Sequence, residues 1–243
     1  MNGRDYDEFR YDGRPVFEYV RRDAPTPNRD RLDENFFVYV MGPYTAFDAT
    51  YVFDDAEKLK TPFIDDPLFD PDRHVTDDET GTMEAALQDV CEEMRDRFGV
   101  RAFLATDIEV PTRREAEERD LDSYLSVLDQ SVAFAAVSDA VVFVFTQAGL
   151  TTGAGSEVGA ILSEFNLRNG NPEPDRKPRE RFRVFRGGSF ASASIDELPY
   201  TYGVDAIEFE DEADLLAKTR QFLANVERTA QSRPFPVYTS YES

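Results

Sequence analysis

The chain has 243 residues, 41% of them hydrophobic, and carries a net charge of −22. That length suits one α/β domain with extensions, or at most two small domains. No apolar run reaches 18 residues, which argues against a transmembrane helix, and a single cysteine excludes an intrachain disulfide.

The charge comes from 49 Asp and Glu against 23 Arg and 4 Lys. Acid excess with so little lysine predicts a protein bathed in molar salt, where a Debye length of about 3 Å screens self-repulsion. The cytoplasm of a salt-accumulating archaeon fits. The same charge disfavours nonspecific binding to nucleic-acid phosphates or to anionic membrane. The N-terminus, MNGRDYDEFRYDG, lacks the apolar segment of a signal peptide. One histidine, His74, leaves little for a His-based zinc cluster or a Ser-His-Asp triad.

Residues 1–34 are polar apart from Val16 to Val20 and form an N-terminal extension expected to dock on the domain. Asn35 to Met41 predicts the first strand, ended by Gly42-Pro43. The stretch from Ala46 to Asp78 is long for a connection, as lids and binding loops are. Met83, Leu87, Val90, Cys91, Met94 and Phe98 recur at helical spacing and predict a helix ended by Gly99, with Cys91 a buried thiol. Val100 to Ala105 is the second expected strand. Thr112 to Val137 is expected to form one helix, with Leu121, Tyr124, Leu125, Leu128, Val132 and Ala135 on its apolar side.

Ala140 to Phe145 is a continuous apolar run, as expected of a parallel strand covered on both faces. A Thr/Gly-rich loop from Thr146 to Gly155 follows, then a helix expected to begin near Ser156 with Glu157 in its first turn. A Pro/charge linker spans Arg168 to Arg181. The remaining expectations are strands at Arg181–Phe185 and Gly203–Phe209, a loop from Gly187 to Tyr202, and a last helix at Glu212–Arg228. The alternation implies an α/β fold: three layers around a mostly parallel five-stranded sheet, of flavodoxin-like, Rossmann-like topology. The domain is expected to span 35–228, followed by an aromatic tail at 229–243.

Ligands in open α/β sheets bind just past the carboxyl ends of strands. Gly153 and Gly155 let backbone approach a ligand, and free N–H groups at a helix start favour an anion. That anion is either a substrate phosphate or carboxylate, or the carboxylate of Glu157. An ionised carboxylate beside a sugar suits nucleophilic attack at an anomeric carbon; Glu is equally favoured in first helical turns for the dipole alone. The loop is neither a P-loop nor a GxGxxG turn. Gly42-Pro43-Tyr44-Thr45 lies at the same sheet edge, where Tyr44 either stacks on a base or simply ends the strand. Asp129 and Asp139 are candidates for a second carboxyl that protonates a leaving group. Asp139 equally suits a helix end.

Three segments resemble the nucleoside 2-deoxyribosyltransferase-like superfamily. They are Phe37 to Pro43, Ser138-Asp139 with the strand after it, and Thr146 to Gly159, TQAGLTTGAGSEVG. The resemblance points to a haloarchaeal branch of that superfamily. It implies that Glu157 is the nucleophile at C1′ of a nucleoside or nucleotide, and that Asp129 is the carboxylate assisting the leaving base. It further implies that Thr151, Thr152 and Gly153 hold a 5′-phosphate, that no cofactor is needed, and that the protein is a homo-oligomer. Some members carry Asp where this chain has Thr151. The expected function is N-glycosidic bond cleavage, by hydrolysis or deoxyribosyl transfer. A TIR-like NAD glycohydrolase and a catalytically silent nucleotide-binding sensor are the alternatives.

Overall fold

A computed structural model describes residues 9–27, 36–42, 46–48, 66–74, 80–146, 152–165, 167, 177–188, 190 and 192–232. Five strands form the central sheet: β1 (Phe37–Met41), β2 (Arg101–Phe103), β3 (Ala140–Phe145), β4 (Phe182–Gly187) and β5 (Ala206–Phe209). Their order is β2-β1-β3-β4-β5 and every pairing is parallel. This is the flavodoxin-like order expected from the sequence. β1 and β3 are buried at every position, which explains why both read as unbroken apolar runs.

Alternate residues feed two separate cores. Phe37, Tyr39, Met41, Phe103, Val141, Phe143 and Phe145 face one layer. That layer holds α1 (Val16–Asp23), α5 (Val127–Val137), α6 (Thr152–Glu164) and the short α7 (Ala193–Asp196) and α8 (Leu198–Tyr202). Val38, Val40, Ala102, Val142, Val144 and Phe185 face α3 (Met83–Phe98) and α9 (Glu212–Ser232). The six stripe residues of α3, from Met83 to Phe98, are all buried, Cys91 included.

The N-terminal extension is part of the core. A two-residue hairpin, Arg10–Tyr11 with Arg14–Pro15, turns at Asp12-Gly13, both at positive φ. It leads into α1, whose Val16 and Val20 are fully buried. The Arg101 guanidinium donates to the Ala24 carbonyl and lies over the Phe37 ring, tying the end of α1 to the sheet.

Two helical expectations are corrected. The 112–137 stretch is two helices, α4 (Arg113–Arg119) and α5, rather than one. Thr112 and Glu115 cap α4 reciprocally, and Asp120 ends it in the left-handed conformation. Ser126 then caps α5. The break shifts the helical phase, so Leu121, Tyr124 and Leu128 are exposed instead of lining a core. Between β4 and β5 the expected loop contains α7 and α8.

The long 46–78 connection is tied at its base by an antiparallel ribbon, Ala46–Asp48 with Thr80–Thr82. Its described part, Asp66 to His74, straps the sheet edge on the α3 side. Asp66 Oδ1 accepts from the Leu68 and Phe69 amides, and both of those side chains enter the core. The strap ends in one helical turn, α2 (Pro71–His74).

Candidate functional site

All five strands point the same way, so their carboxyl ends share one edge. In the order β2-β1-β3-β4-β5 the chain leaves β1 toward β2 and leaves β3 toward β4. The crevice at that reversal is where ligands of such sheets bind. β1 ends there at Met41-Gly42 and β3 at Phe145-Thr146. Pro43, Tyr44, Thr45 and Thr151 lie outside the described residues.

Gly42 is a packing requirement. A Cβ there would lie 2.7 Å from Leu87 Cδ1 and 2.9 Å from the Val144 carbonyl oxygen, so only glycine lets α3 sit this close to the strand end. Thr146 is 1% exposed, and its hydroxyl has no hydrogen-bond partner among the described residues. A Cβ on Gly187 would meet both the Thr146 methyl, at 3.7 Å, and Pro67 Cγ, at 2.9 Å. Thr146 thus lies beneath the strap on the α3 side of the sheet.

Glycine content predicts a loop up to Gly155, but α6 already begins at Thr152. Gly153 and Gly155 are helical, and Glu157 belongs to the second turn instead of the first. The helical amides left without an intrahelical partner by the helix start are those of Thr152 to Ala154, at the carboxyl end of β3. The side chains of 152–157 lie outside the described part of the chain. Two residues on, Val158 is fully buried, and a Cβ added to Gly159 would meet nothing within 4 Å.

α5 leads into β3, so its N-terminus reaches the same edge. Asp129 is in the first turn of α5, not mid-helix, and is exposed. Its Oδ2 accepts from the Ser126 hydroxyl at 2.7 Å, while its amide donates back to Ser126 Oγ at 3.1 Å. Helical spacing places Val127, Gln130 and Ser131 on a different face from Asp129. Those three line a cavity of about 390 Å³, together with Tyr39, residues 105–106 and 108–112, Glu115 and Arg119. Its polar atoms were not foreseen, because Gln130 and Ser131 sit within a segment that reads as apolar core. A Gln-Ser pair on the inward face of a capped helix is the signal that could have found them.

Other buried ionisable groups lie away from this edge. Burial pushes the Cys91 thiol far above its ordinary range, so it is not a nucleophile. Beneath the amino ends of β3 and β4, the Lys177 ammonium donates to the Ser138 carbonyl, and Arg181 donates to the Asp139 carbonyl at 3.0 Å. The Asp139 carboxylate accepts from the Phe37 amide at 2.9 Å, pinning β1 to β3. It is therefore placed at the edge opposite the crevice. Burial lowers the Lys177 pKa to about 7, with Asp139 opposing and Arg181 reinforcing the shift. Lys177 sits in what reads as a solvated Pro/charge linker, where no sequence signal marks it as buried. Among the described residues no three His, Cys, Asp or Glu side chains cluster as metal ligands, and no helix is long and apolar enough to cross a membrane.

No curated protein and no solved structure matches the chain. Residues 26–238 match a family described as a domain of unknown function, DUF7509. The match covers β1 to β5 and starts after α1, although α1 packs into the same core. The chain belongs to the DUF7509 family.

Proposed function

We propose that this chain cleaves the N-glycosidic bond of a nucleoside or nucleotide, as a hydrolase or deoxyribosyltransferase, with Glu157 as nucleophile at C1′. The observation carrying this reading is the place of α6. It starts at the switch-point crevice directly after the central strand and holds Glu157 one turn in. The amides of Thr152 to Ala154, without intrahelical partners, suit a 5′-phosphate or another anionic group, and Gly153 and Gly155 permit close approach.

In the proposed reaction the Glu157 carboxylate attacks C1′ as the C1′–N bond breaks. The departing base keeps the bonding pair and takes a proton from Asp129 or water. Water or a second base then attacks C1′ of the glycosyl-enzyme and releases Glu157. In this reading Gly42, Pro43, Tyr44 and Thr45 serve base and sugar, and Thr151 and Thr152 serve the phosphate. The scheme calls for no metal or redox cofactor. The acidic composition supports a cytoplasm of high salt as the working medium. The exposed Leu121, Tyr124 and Leu128 supply apolar surface for assembly with a second copy.

The test is incubation with nucleosides, nucleotides and NAD in molar KCl, with free base measured by chromatography. The wild type should release base, and Glu157→Gln should release none while its thermal midpoint stays unchanged. Full activity in that variant overturns the proposal. Nicotinamide release from NAD alone would favour a TIR-like glycohydrolase. Nucleotide-induced thermal stabilisation without product would favour a silent sensor.

A further inference from the structure

The cavity under α4 and α5 is lined by β1, by residues 105–106 and 108–112 and by the two helices. Its volume of about 390 Å³ falls within the range of small-molecule sites, roughly 300–1,000 Å³. Tyr39, Ile108, Val110, Pro111 and Val127 give it apolar walls.

Two polar side chains in its lining are unmatched. Gln130 and Ser131 are 6% and 4% exposed. The Gln130 amide nitrogen donates to the Val110 carbonyl at 2.5 Å, which fixes the flip of the amide and leaves Oε1 without a partner among the described residues. The Ser131 hydroxyl also has none there, and does not make the back-bond to the preceding helical turn that buried helical serines commonly adopt. Both atoms open onto the cavity rather than lying enclosed in the core, so they are available to what enters it.

The charges in the lining sort in the same direction. Glu109 already accepts from Arg22 at 2.9 Å, and Glu115 from Thr112 at 2.7 Å. Arg113 and Arg114 are paired with Glu117 and Glu118 one turn on. Arg119, which lines the cavity, has no carboxylate partner among the described residues. Arg119 is exposed; the helix dipole favours an arginine at the end of α4, and its donors are left to solvent or to a ligand. One guanidinium near two committed carboxylates suits a monoanion better than a dianion.

We propose that this cavity binds a small organic monocarboxylate with a flat apolar body and a hydrogen-bond donor at its inner end. The carboxylate meets Arg119, the body lies between Tyr39 and Val127, and the inner donor bonds Gln130 Oε1 beside the Ser131 hydroxyl. The proposal does not use Glu157 and stands whether or not that residue is catalytic.

The probe is 4-hydroxyphenylacetate, titrated by calorimetry into the full chain at moderate and at molar KCl. Phenylacetate, lacking the inner donor, and 4-hydroxybenzyl alcohol, lacking the anion, serve as comparisons. Saturable binding at millimolar concentration or below is expected for the probe. Each comparison compound, and each of Ser131→Ala and Arg119→Gln, should bind roughly tenfold more weakly, the loss of about one hydrogen bond to a charged or buried group. Affinity should fall with salt in the wild type and not in Arg119→Gln. Glu157→Gln should bind as the wild type does, which separates this outcome from the glycosidase test. No saturable binding of the probe, or equal affinity in both pocket variants, overturns the proposal. Ser131→Ala keeps a good helix former in place, so its fold survives the test.

Discussion

Gly42 and Gly159 should respond to alanine with opposite signs. At Gly42 the added Cβ would lie 2.7 and 3.3 Å from the two methyls of Leu87 and 2.9 Å from the Val144 carbonyl oxygen. Ordinary contact at a Cβ is 3.4–4 Å, so something must move by half an ångström or more. Leu87 is 1% exposed in the middle of α3, and Val144 belongs to the central strand, so neither yields cheaply. Overpacking of this kind costs about 1–3 kcal/mol. For a chain of this length each kcal/mol moves the thermal midpoint by roughly 2–4 °C, so Gly42→Ala should melt about 2–12 °C lower. Gly159 is helical, with nothing within 4 Å of its Cβ position. Alanine there removes a helix penalty of about 0.5–1 kcal/mol and should raise the midpoint by roughly 1–4 °C. Thermal unfolding followed by circular dichroism in molar KCl reads both. A Gly42→Ala protein melting with the wild type would refute the claim that α3 seats on the strand end. A lower midpoint for Gly159→Ala would show that something packs against that face of α6.

Two further outcomes follow from buried polar groups. The ring of His74 accepts from the Asp70 amide at Nδ1, 2.8 Å, so its proton sits on Nε2 and is donated to Asp89 at 3.0 Å. His74→Ala should leave that amide short of a partner, while Asp89 keeps its ion pair with Arg73. It should speed hydrogen exchange at Leu68, Phe69 and Asp70 by an amount equivalent to about 1–3 kcal/mol of local stability, while exchange in β1 and β3 stays slow. Lys177 has its pKa lowered by burial from 10.5 to about 7. Between those values the unfolded chain holds the extra proton, so the wild type gains stability as pH rises from about 7 toward 10.5, by at most about 5 kcal/mol. Lys177→Met should lose that contribution to the pH slope, as read from urea midpoints across the window. An unchanged slope would refute the burial of the ammonium.

The features that sequence anticipated are those encoded by neighbouring residues. β1 and β3 are buried on both faces, so apolarity alone marks them. α3 has one buried face, and its stripe from Met83 to Phe98 shows the period directly. Alternation of these elements was enough to place the carboxyl edge and the crevice between Gly42 and Thr146. Apolar spacing runs on across Asp120 and hides the break between α4 and α5, which the Thr112–Glu115 and Ser126–Asp129 caps mark. The start of α6 is masked in sequence by Gly153 and Gly155, which have low helix propensity yet are helical here.

The cavity and the Lys177 cluster belong to a different kind of information. Tyr39, Val110, Arg119 and Ser131 are dispersed along the chain and meet only because β1 lies next to β2 and beneath α5. Lys177 meets Ser138 across 39 residues for the same reason. A hydrogen-bonding need such as that of Ser131 has no local signature. A serine in a helix reads the same whether its hydroxyl meets solvent, a backbone carbonyl or an enclosed cavity. What distinguishes the three is the fold around it. Once the fold is in hand, a donor or acceptor that opens onto a cavity without a protein partner becomes more informative than an apolar residue, because it is free to bond what enters. That availability is why the pair on the inner face of α5, and not the acid-rich surface, carries the ligand argument.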